Sequence, residues 1–409
     1  AKENGLLYGT FRLLIMVSSR KEIAGISIRE IPSNPVRMLN QWDNIDGSIE
    51  RGYAGRSFFY ENGKVCVTER IRDYARLLCS VGINGISINN VNVRNGADWL
   101  ISERHYKELE QISHIFAQYG ISMYLCIDFA APMTLGGLSC ADPLKEEVKD
   151  WWEKKCGEIF GRLPNMGGFL VKADSEGRPG PFAYGRNHAD GANMLARAVK
   201  PYGGTIIWRC FVYNCQQDWR DRRTDRACAG YDNFMPLDGK FDDNVILQIK
   251  NGPIDFQVRE PVHPLFGGLQ HTNQMLEVQI AQEYTGQQID VCYLVPMWKE
   301  VLDFSTGCGK PEDTVADIIS GRTFGQQRCG MAAVANTGRD ANWTGHDLAG
   351  ANLYGFGRLA FAPQLSAEEI ASEWISLQIS RDSDVNRSIS DILLRSREVY
   401  EKCPAPLGI

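Results

Sequence analysis

Gly168-Phe169-Leu170-Val171-Lys172-Ala173-Asp174-Ser175-Glu176-Gly177-Arg178-Pro179-Gly180-Pro181 runs from apolar residues straight into a charged, turn-forming segment. The apolar part is short and bounded by glycine, the pattern of a buried strand. A second stretch repeats the arrangement. Val245-Ile246-Leu247-Gln248-Ile249 leads into Lys250-Asn251-Gly252-Pro253-Ile254-Asp255-Phe256-Gln257. Each run delivers a lysine and a carboxylate just past its end. In a parallel barrel the C-terminal ends of all strands share one rim. Two acids on that rim suit an acid/base pair, and the lysines beside them suit a ligand that is itself an anion.

Working outward, the same alternation continues on both sides. Strands are predicted at 36–40, 85–89, 121–128, 168–171, 205–211, 245–249, 275–280 and 331–336. Between them lie helical patterns. Ile71, Tyr74, Leu77 and Leu78 share a face in 68–80, and Tyr106, Leu109, Ile112, Ile115 and Phe116 share one in 101–118. Asp142 and Pro143 read as the N-cap and first residue of a helix reaching Phe160. Further helices are expected at 192–199 and 311–319. Eight strands alternating with helices make an α/β protein, a (β/α)8 TIM barrel spanning 36–363. Residues 1–35 read as a lead-in segment containing a helix, and 364–409 as the start of a C-terminal helical region. There Ser366 and Glu369 form a capping box, with helices through Trp374 and from Ile389 to Tyr400.

The composition is that of an ordinary folded chain: 409 residues, 44% hydrophobic and 23% charged. A net charge of -6 gives no nucleic-acid footprint, so any anion must be held by local cations. No apolar run reaches membrane-spanning length, and no membrane partner is expected. The 12 cysteines show no CxxC and no zinc-type spacing with histidine. They read as buried reduced thiols, which favours a cytoplasmic location; the start at Ala1 leaves secretion open.

Reading the polar residues at the strand ends gives the candidate site. These are Trp42, Asp43 and Asn44; Asn89, Asn90 and Asn92; Asp128; Lys172, Asp174 and Glu176; Arg209; Lys250 and Asp255; Gln282 and Glu283; Asn336, then Trp343 and His346. With six histidines in the chain and one near a strand end, a Ser-His-Asp hydrolase or a histidine-rich metal centre is disfavoured. Lys172, Arg209 and Lys250 come from neighbouring strands and should converge. Trp42 and the asparagines suit a sugar, with ring stacking and amide hydrogen bonds. Asp174 reads as a cap or a partner of Lys172, outside the catalytic set, and Asp128 as a loop organiser. Arg220, Arg222, Arg223 and Arg226 alternate with Asp218, Asp221 and Asp225 and read as a solvated surface loop.

The stretches RMLNQWDNIDGSIERGYAGRS (37–57), LVKADSEGRPGP (170–181), LQIKNGPIDFQVREP (247–261), QEYTGQ (282–287) and WTGHDLAGANLYGFGRLA (343–360) resemble the α-glucuronidases of glycoside hydrolase family 67, in collinear order along nearly the whole chain. The resemblance implies an inverting enzyme that removes glucuronic acid, or its 4-O-methyl ether, from the terminal xylose of xylo-oligosaccharides, the aldouronic acids. It implies no metal and no other cofactor. Residue by residue, it implies a general acid at Glu176, candidate bases at Asp255 and Glu283, uronate-binding cations at Lys172, Arg209 and Lys250, and a stacking tryptophan at Trp42. It also implies an N-terminal β-sandwich and a longer C-terminal helical domain, neither spanned by these 409 residues, with a homodimer where the C-terminal domain is complete.

Glu176 must hold its proton to serve as the acid, against the pull of Lys172. Two rivals share the fold: a barrel glycosidase for another acidic sugar, and a carbohydrate-binding barrel or fragment without catalysis.

Overall fold

A computed structural model describes residues 3–212, 220 and 226–404. Asp218, Asp221, Arg222, Arg223 and Asp225 of the expected surface loop lie outside the described residues. Eight parallel strands close into a barrel: β1 (Val36–Asn40), β2 (Gly85–Ser87), β3 (Ser122–Ile127), β4 (Met166–Val171), β5 (Thr205–Arg209), β6 (Val245–Lys250), β7 (Gln274–Gln279) and β8 (Gly330–Val334). Each pairs with its sequence neighbours, and β8 closes on β1 with Val36 opposite Gly330. Nearly every strand residue is buried. That explains why the strands read as continuous apolar runs: in a barrel one face meets the lumen and the other the helices.

The α-helices of five or more residues are, among the described residues, α1 (Glu3–Ser18), α2 (Glu69–Ser80), α3 (Tyr106–Ala117), α4 (Glu146–Arg162), α5 (His188–Val199), α6 (Arg226–Phe234), α7 (Val295–Leu302), α8 (Val315–Ile319), α9 (Gly350–Phe361), α10 (Ala367–Gln378) and α11 (Ser383–Lys402). The expected α/β barrel is therefore present, with a helix before it and helices after it.

Several boundaries differ from the sequence reading for local reasons. Asp142 does not cap α4. Its carboxylate accepts from the Leu144 amide at 3.1 Å and pairs with Arg186 at 3.1 Å, so the chain turns there and the helix starts at Glu146. Pro311 lies outside α8, which opens after Thr314, whose hydroxyl accepts from the Asp317 amide at 3.2 Å. The Ser366–Glu369 capping box opens α10 as expected. Helices α6, α7 and α9 were not expected; α9 is buried from Ala351 to Phe361 and so carries no polar stripe.

The β4 strand contains a built-in irregularity. Met123 pairs with Met166, yet Tyr124 pairs with Gly168, so Gly167 is the extra residue of a bulge. Gly168 adopts φ +145°, and a Cβ there would lie 1.8 Å from the Thr205 carbonyl oxygen. The bulge sets the register in which Lys172 leaves the strand. Gly168→Ala is expected to destabilise the protein by about 2–5 kcal/mol, combining strained backbone with a clash. Gly161→Ala in α4, where no atom lies within 4 Å, should be neutral or stabilising by up to about 1 kcal/mol. Urea midpoints of the two variants check this contrast.

Candidate active site

Strands β4, β5 and β6 each end on a cation. Lys172 follows β4, Arg209 ends β5 and Lys250 ends β6. Their side chains are 2%, 3% and 4% exposed. A cation buried this deeply requires an anion, and each has one. Lys172 pairs with Glu176 and donates to the Asn92 side-chain oxygen at 2.8 Å. Arg209 meets Glu277 through Nε, at 3.0 and 2.9 Å to the two carboxylate oxygens. Lys250 pairs with Asp255, which also accepts from the Tyr284 hydroxyl at 3.1 Å. Arg209 Nη2 is buried with no hydrogen-bond partner among the described residues.

The three pairs share one electrostatic field. Burial raises the Glu176 carboxyl, but Lys172, then Arg209 and Lys250, outweigh it and leave the group below its ordinary value. Burial pushes Lys250 down to about 8, with Arg209 adding to the shift and Asp255 and Glu277 opposing it. Burial works against the Arg209 charge too, yet Glu277, Asp255 and Glu176 hold it above its ordinary value. The expectation of a raised Glu176 carboxyl is not met by this arrangement: the lysine four residues upstream helps hold it below its ordinary value.

Trp42 lies beside this group, with the Arg209 guanidinium 5.3 Å from its ring centroid. Its indole Nε1 is buried without a hydrogen-bond partner among the described residues. Its backbone amide donates to the Asn336 side chain at 2.9 Å. Asn336 in turn donates to the Glu50 carbonyl at 2.7 Å. The β1 loop is thus tied through Asn336 to the end of β8. It is braced below by Asp43, whose carboxyl accepts from the Ser57 hydroxyl and is pushed up to about 8 by burial.

Glu283 follows β7. It pairs with Arg51 of the β1 loop, accepts from the Gln279 side chain at 3.3 Å, and its amide donates back to Gln279 at 2.9 Å. The neighbouring Glu50 accepts from Asn90 at 2.8 Å and Asn92 at 3.0 Å, and its charge reaches Lys172. The chain Lys172–Asn92–Glu50 therefore joins the β4 and β1 loops, and Arg51–Glu283 carries the link on to β7.

Other strand-end residues serve the frame. Asn89 ties β2 to β3 by accepting from the Cys126 amide at 2.8 Å and donating to its carbonyl at 3.0 Å. Asn90 and Asn92 are likewise committed to Glu50, so the asparagine-rich strand end acts as internal scaffold. Asp128 pairs with Arg178 and accepts from the Ala130 amide at 2.8 Å, organising its loop. Gln282 donates to the Thr285 carbonyl at 2.6 Å. Trp343 stacks on Tyr74 with centroids 5.3 Å apart, under Arg70, and packs within the fold. His346 is half-buried, its pKa lowered by burial. Glu277, Tyr284 and Glu50 were missed by sequence reading. Glu277 sits within a strand, Tyr284 beside a residue already chosen, and Glu50 far along a loop. A charged residue at a strand position, as in Gln274-Met275-Leu276-Glu277, was the available signal for Glu277.

Among the described residues no group of three or more His, Cys, Asp or Glu is arranged to hold a metal ion, and no helix is long and apolar enough to cross a membrane.

Residues 16–343 match the glycosyl hydrolase family 67 middle domain, and residues 344–409 match the glycosyl hydrolase family 67 C-terminus. The chain belongs to glycosyl hydrolase family 67. Among curated relatives, it is 46% identical over 408 residues to "Probable alpha-glucuronidase A" of Aspergillus fumigatus, covering 100% of this chain and 48% of that protein. It is 44% identical over 415 residues to "Alpha-glucuronidase A" of Emericella nidulans, with the same coverage of 100% and 48%. This family 67 chain thus spans about half the length of the curated relatives it matches. Among solved structures, a GH138 enzyme targeting pectin rhamnogalacturonan II superposes with a TM-score of 0.54 at 13% identity, over 98% of this chain and 47% of that one. A Thermobaculum terrenum O-GlcNAc hydrolase gives a TM-score of 0.51 at 12% identity, over 89% and 67%. At these identities the likeness concerns the fold alone.

Asp174 provides a check on the electrostatics at the rim. It adopts φ +52° and accepts from the Phe182 amide at 3.2 Å. Burial raises its carboxyl to about 6, with the Phe182 amide opposing. The folded protein therefore binds this proton more tightly than the unfolded chain. Its contribution to stability is present below about pH 4 and is lost as pH rises through about 6. Asparagine keeps the acceptor and tolerates the backbone. Asp174→Asn should be more stable than the parent at pH 7, with the advantage shrinking toward pH 4. Melting temperatures across that range test the sign.

Proposed function

We propose that this chain carries the catalytic barrel of an α-glucuronidase, which removes glucuronic acid or 4-O-methyl-glucuronic acid from the terminal xylose of xylo-oligosaccharides. The observation that carries the reading is the pairing of buried cations with acids at one mouth: Lys172 with Glu176 and Lys250 with Asp255, flanking Arg209. A neutral sugar has no use for three buried positive charges. A uronate does, and its carboxylate is the natural partner for the unmatched Arg209 Nη2. The names of the relatives, "Alpha-glucuronidase A" among them, support the same substrate class.

In this reading the sugar carboxylate enters among Lys172, Arg209 and Lys250 and displaces Glu176 and Asp255 from their lysines. Each charge-assisted contact is worth ~1.5–3 kcal/mol. The exchange prepares both carboxylates. Glu176, no longer held by Lys172 and now near a further negative charge, takes up a proton. Asp255 is released toward water. Glu176 then donates its proton to the glycosidic oxygen, so xylose leaves with its hydroxyl intact. Water attacks the anomeric carbon from the opposite face and gives its proton to Asp255 or Glu283. An inverting pair needs carboxyl groups ~6.5–9.5 Å apart, a spacing suited to acids carried by separate strands around a barrel mouth. Trp42 offers its ring to the sugar face. The substrate thus supplies the charge that arms the acid, which makes the uronate a requirement of chemistry as well as of binding.

The variants separate the roles. Glu176→Ala should lose ~10²–10⁴-fold on aldouronic acids, and far less on an aryl α-glucuronide whose leaving group needs little protonation. Asp255→Ala and Glu283→Ala should not recover with the better leaving group. Equal loss of Glu176→Ala on both substrates would remove its role, and normal turnover by either base variant would remove that residue. NMR of the first-formed sugar should show the β-anomer; the α-anomer contradicts inversion. Binding without any turnover would favour a carbohydrate-binding barrel.

The exchange has its own signature. Binding of D-glucuronate near pH 7 should take up about one proton, because the bound state raises the Glu176 pKa from a depressed start. Titration calorimetry in buffers of different ionisation enthalpy measures this uptake. It should vanish in Glu176→Gln and persist in Asp255→Asn; zero uptake in the parent protein defeats the exchange.

A further inference from the structure

The Asp255 carboxylate sits on a loop, whereas its partner Lys250 sits on a strand. Lys250 is fixed by the β6 register, opposite Glu277 of β7. Asp255 comes five residues later, past Gly252-Pro253, where no ladder holds the chain. Something else must fix its backbone. Glu260 does. One of its carboxylate oxygens accepts from the Ile254 amide at 2.7 Å, and the other from the Asp255 amide at 2.8 Å and the Gln257 amide at 2.7 Å. Three amides converging on one carboxylate form an anion-binding concavity built from the chain's own backbone. Phe256 lies between the two amides that share an oxygen, and adopts φ +55°. That left-handed turn is costly for a phenylalanine, and the shared acceptor explains why it persists.

The cradle is closed on its other side by glycine. A Cβ at Gly252 would lie 2.2 Å from a Glu260 carboxylate oxygen and 2.5 Å from the Glu260 Cβ. The glycine is therefore the residue that admits the carboxylate under the loop. The segment between Asp255 and Glu260 is held from outside as well. Arg397 of α11 donates to the Val258 carbonyl at 3.2 Å, and Arg259 meets Glu401 of the same helix at 2.6 and 3.0 Å. At the base of the loop the His263 amide donates to the Asn251 carbonyl at 3.0 Å.

We infer that Glu260 is a positioning residue for the reaction: through the amides of Ile254, Asp255 and Gln257 it sets where the Asp255 carboxylate meets water. The inference rests on the reading of Asp255 as a base. It separates two functions of the β6 end. The strand-held Lys250 binds, and the clamp-held Asp255 turns over. Loss of the clamp should damage kcat and spare binding.

Two variants reach the clamp from opposite sides. Glu260→Gln keeps the volume but replaces one acceptor oxygen with a donor. Gly252→Ala leaves Glu260 intact and expels it from the cradle. Both should lower kcat ~10²-fold, the cost of an ångström-scale misplacement, on aldouronic acid and on aryl glucuronide alike. KM and the Kd for D-glucuronate should stay within about threefold, as when only transition-state contacts are lost. In the unmodified protein, hydrogen exchange should show the Ile254, Asp255 and Gln257 amides protected; this measurement stands even if a variant does not fold. The inference fails if kcat is unchanged in both folded variants, if glucuronate binding is lost together with kcat, or if those amides exchange at unprotected rates. An unmodified protein inert toward aldouronic acids removes the glucuronidase reading and this inference with it. An active protein indifferent to both substitutions removes the inference alone.

Discussion

Three neighbouring strands bring Lys172, Arg209 and Lys250 to one buried point, and like charges so placed are tolerated only when anions are brought to them. That constraint shapes everything around the mouth of the barrel. Glu277 is committed to Arg209 inside the wall, where it is as buried as its partner. Glu176 and Asp255 reach back from their loops to the lysines that precede them. The three cations and their three acids thus nearly cancel, each charge held in an ion pair.

On the proposed reading the site discriminates by exchange. An incoming carboxylate would have to offer the cations at least as much as the resident acids do, which would couple binding to activation. A neutral sugar would leave the Lys172–Glu176 pair intact. The frame around these pairs is carried by side chains committed to other parts of the chain. Asn336 fixes Trp42, Asn90 and Asn92 fix Glu50, and Glu260 fixes the turn bearing Asp255. Each is a side chain holding backbone or another side chain, the usual means of keeping catalytic loops within a fraction of an ångström.

The barrel was legible because its strands are buried on both faces and its surface helices on one. Runs such as Val245-Ile246-Leu247 admit few other readings, and α2 and α3 show their apolar stripes plainly. Helix α9 was not legible. It packs inside the outer layer with Gly355 against Val295 and Gly357 against Val81, and even its polar Asn352 and Arg358 are buried, so no exposed polar face marks it in the sequence. Asp142 misled because an acid before proline serves a turn as well as a helix start; only Arg186, far along the chain, decides which.

The candidate site divides the same way. Sequence alone determined which charged residues follow which strands, because strand direction and barrel closure send every C-terminal end to one rim. It therefore determined that Lys172, Glu176, Arg209, Lys250 and Asp255 share one field at the rim, while Glu283 pairs with Arg51. Which charges pair, and hence which protons are held, was decided by the tertiary structure. Pairing depends on distance and burial across strands, and Glu277, Glu50 and Glu260 enter only once the chain is folded. The ionised state of Glu176 follows from that arrangement: a local sequence shows a lysine nearby, but only the fold shows three cations with water largely removed.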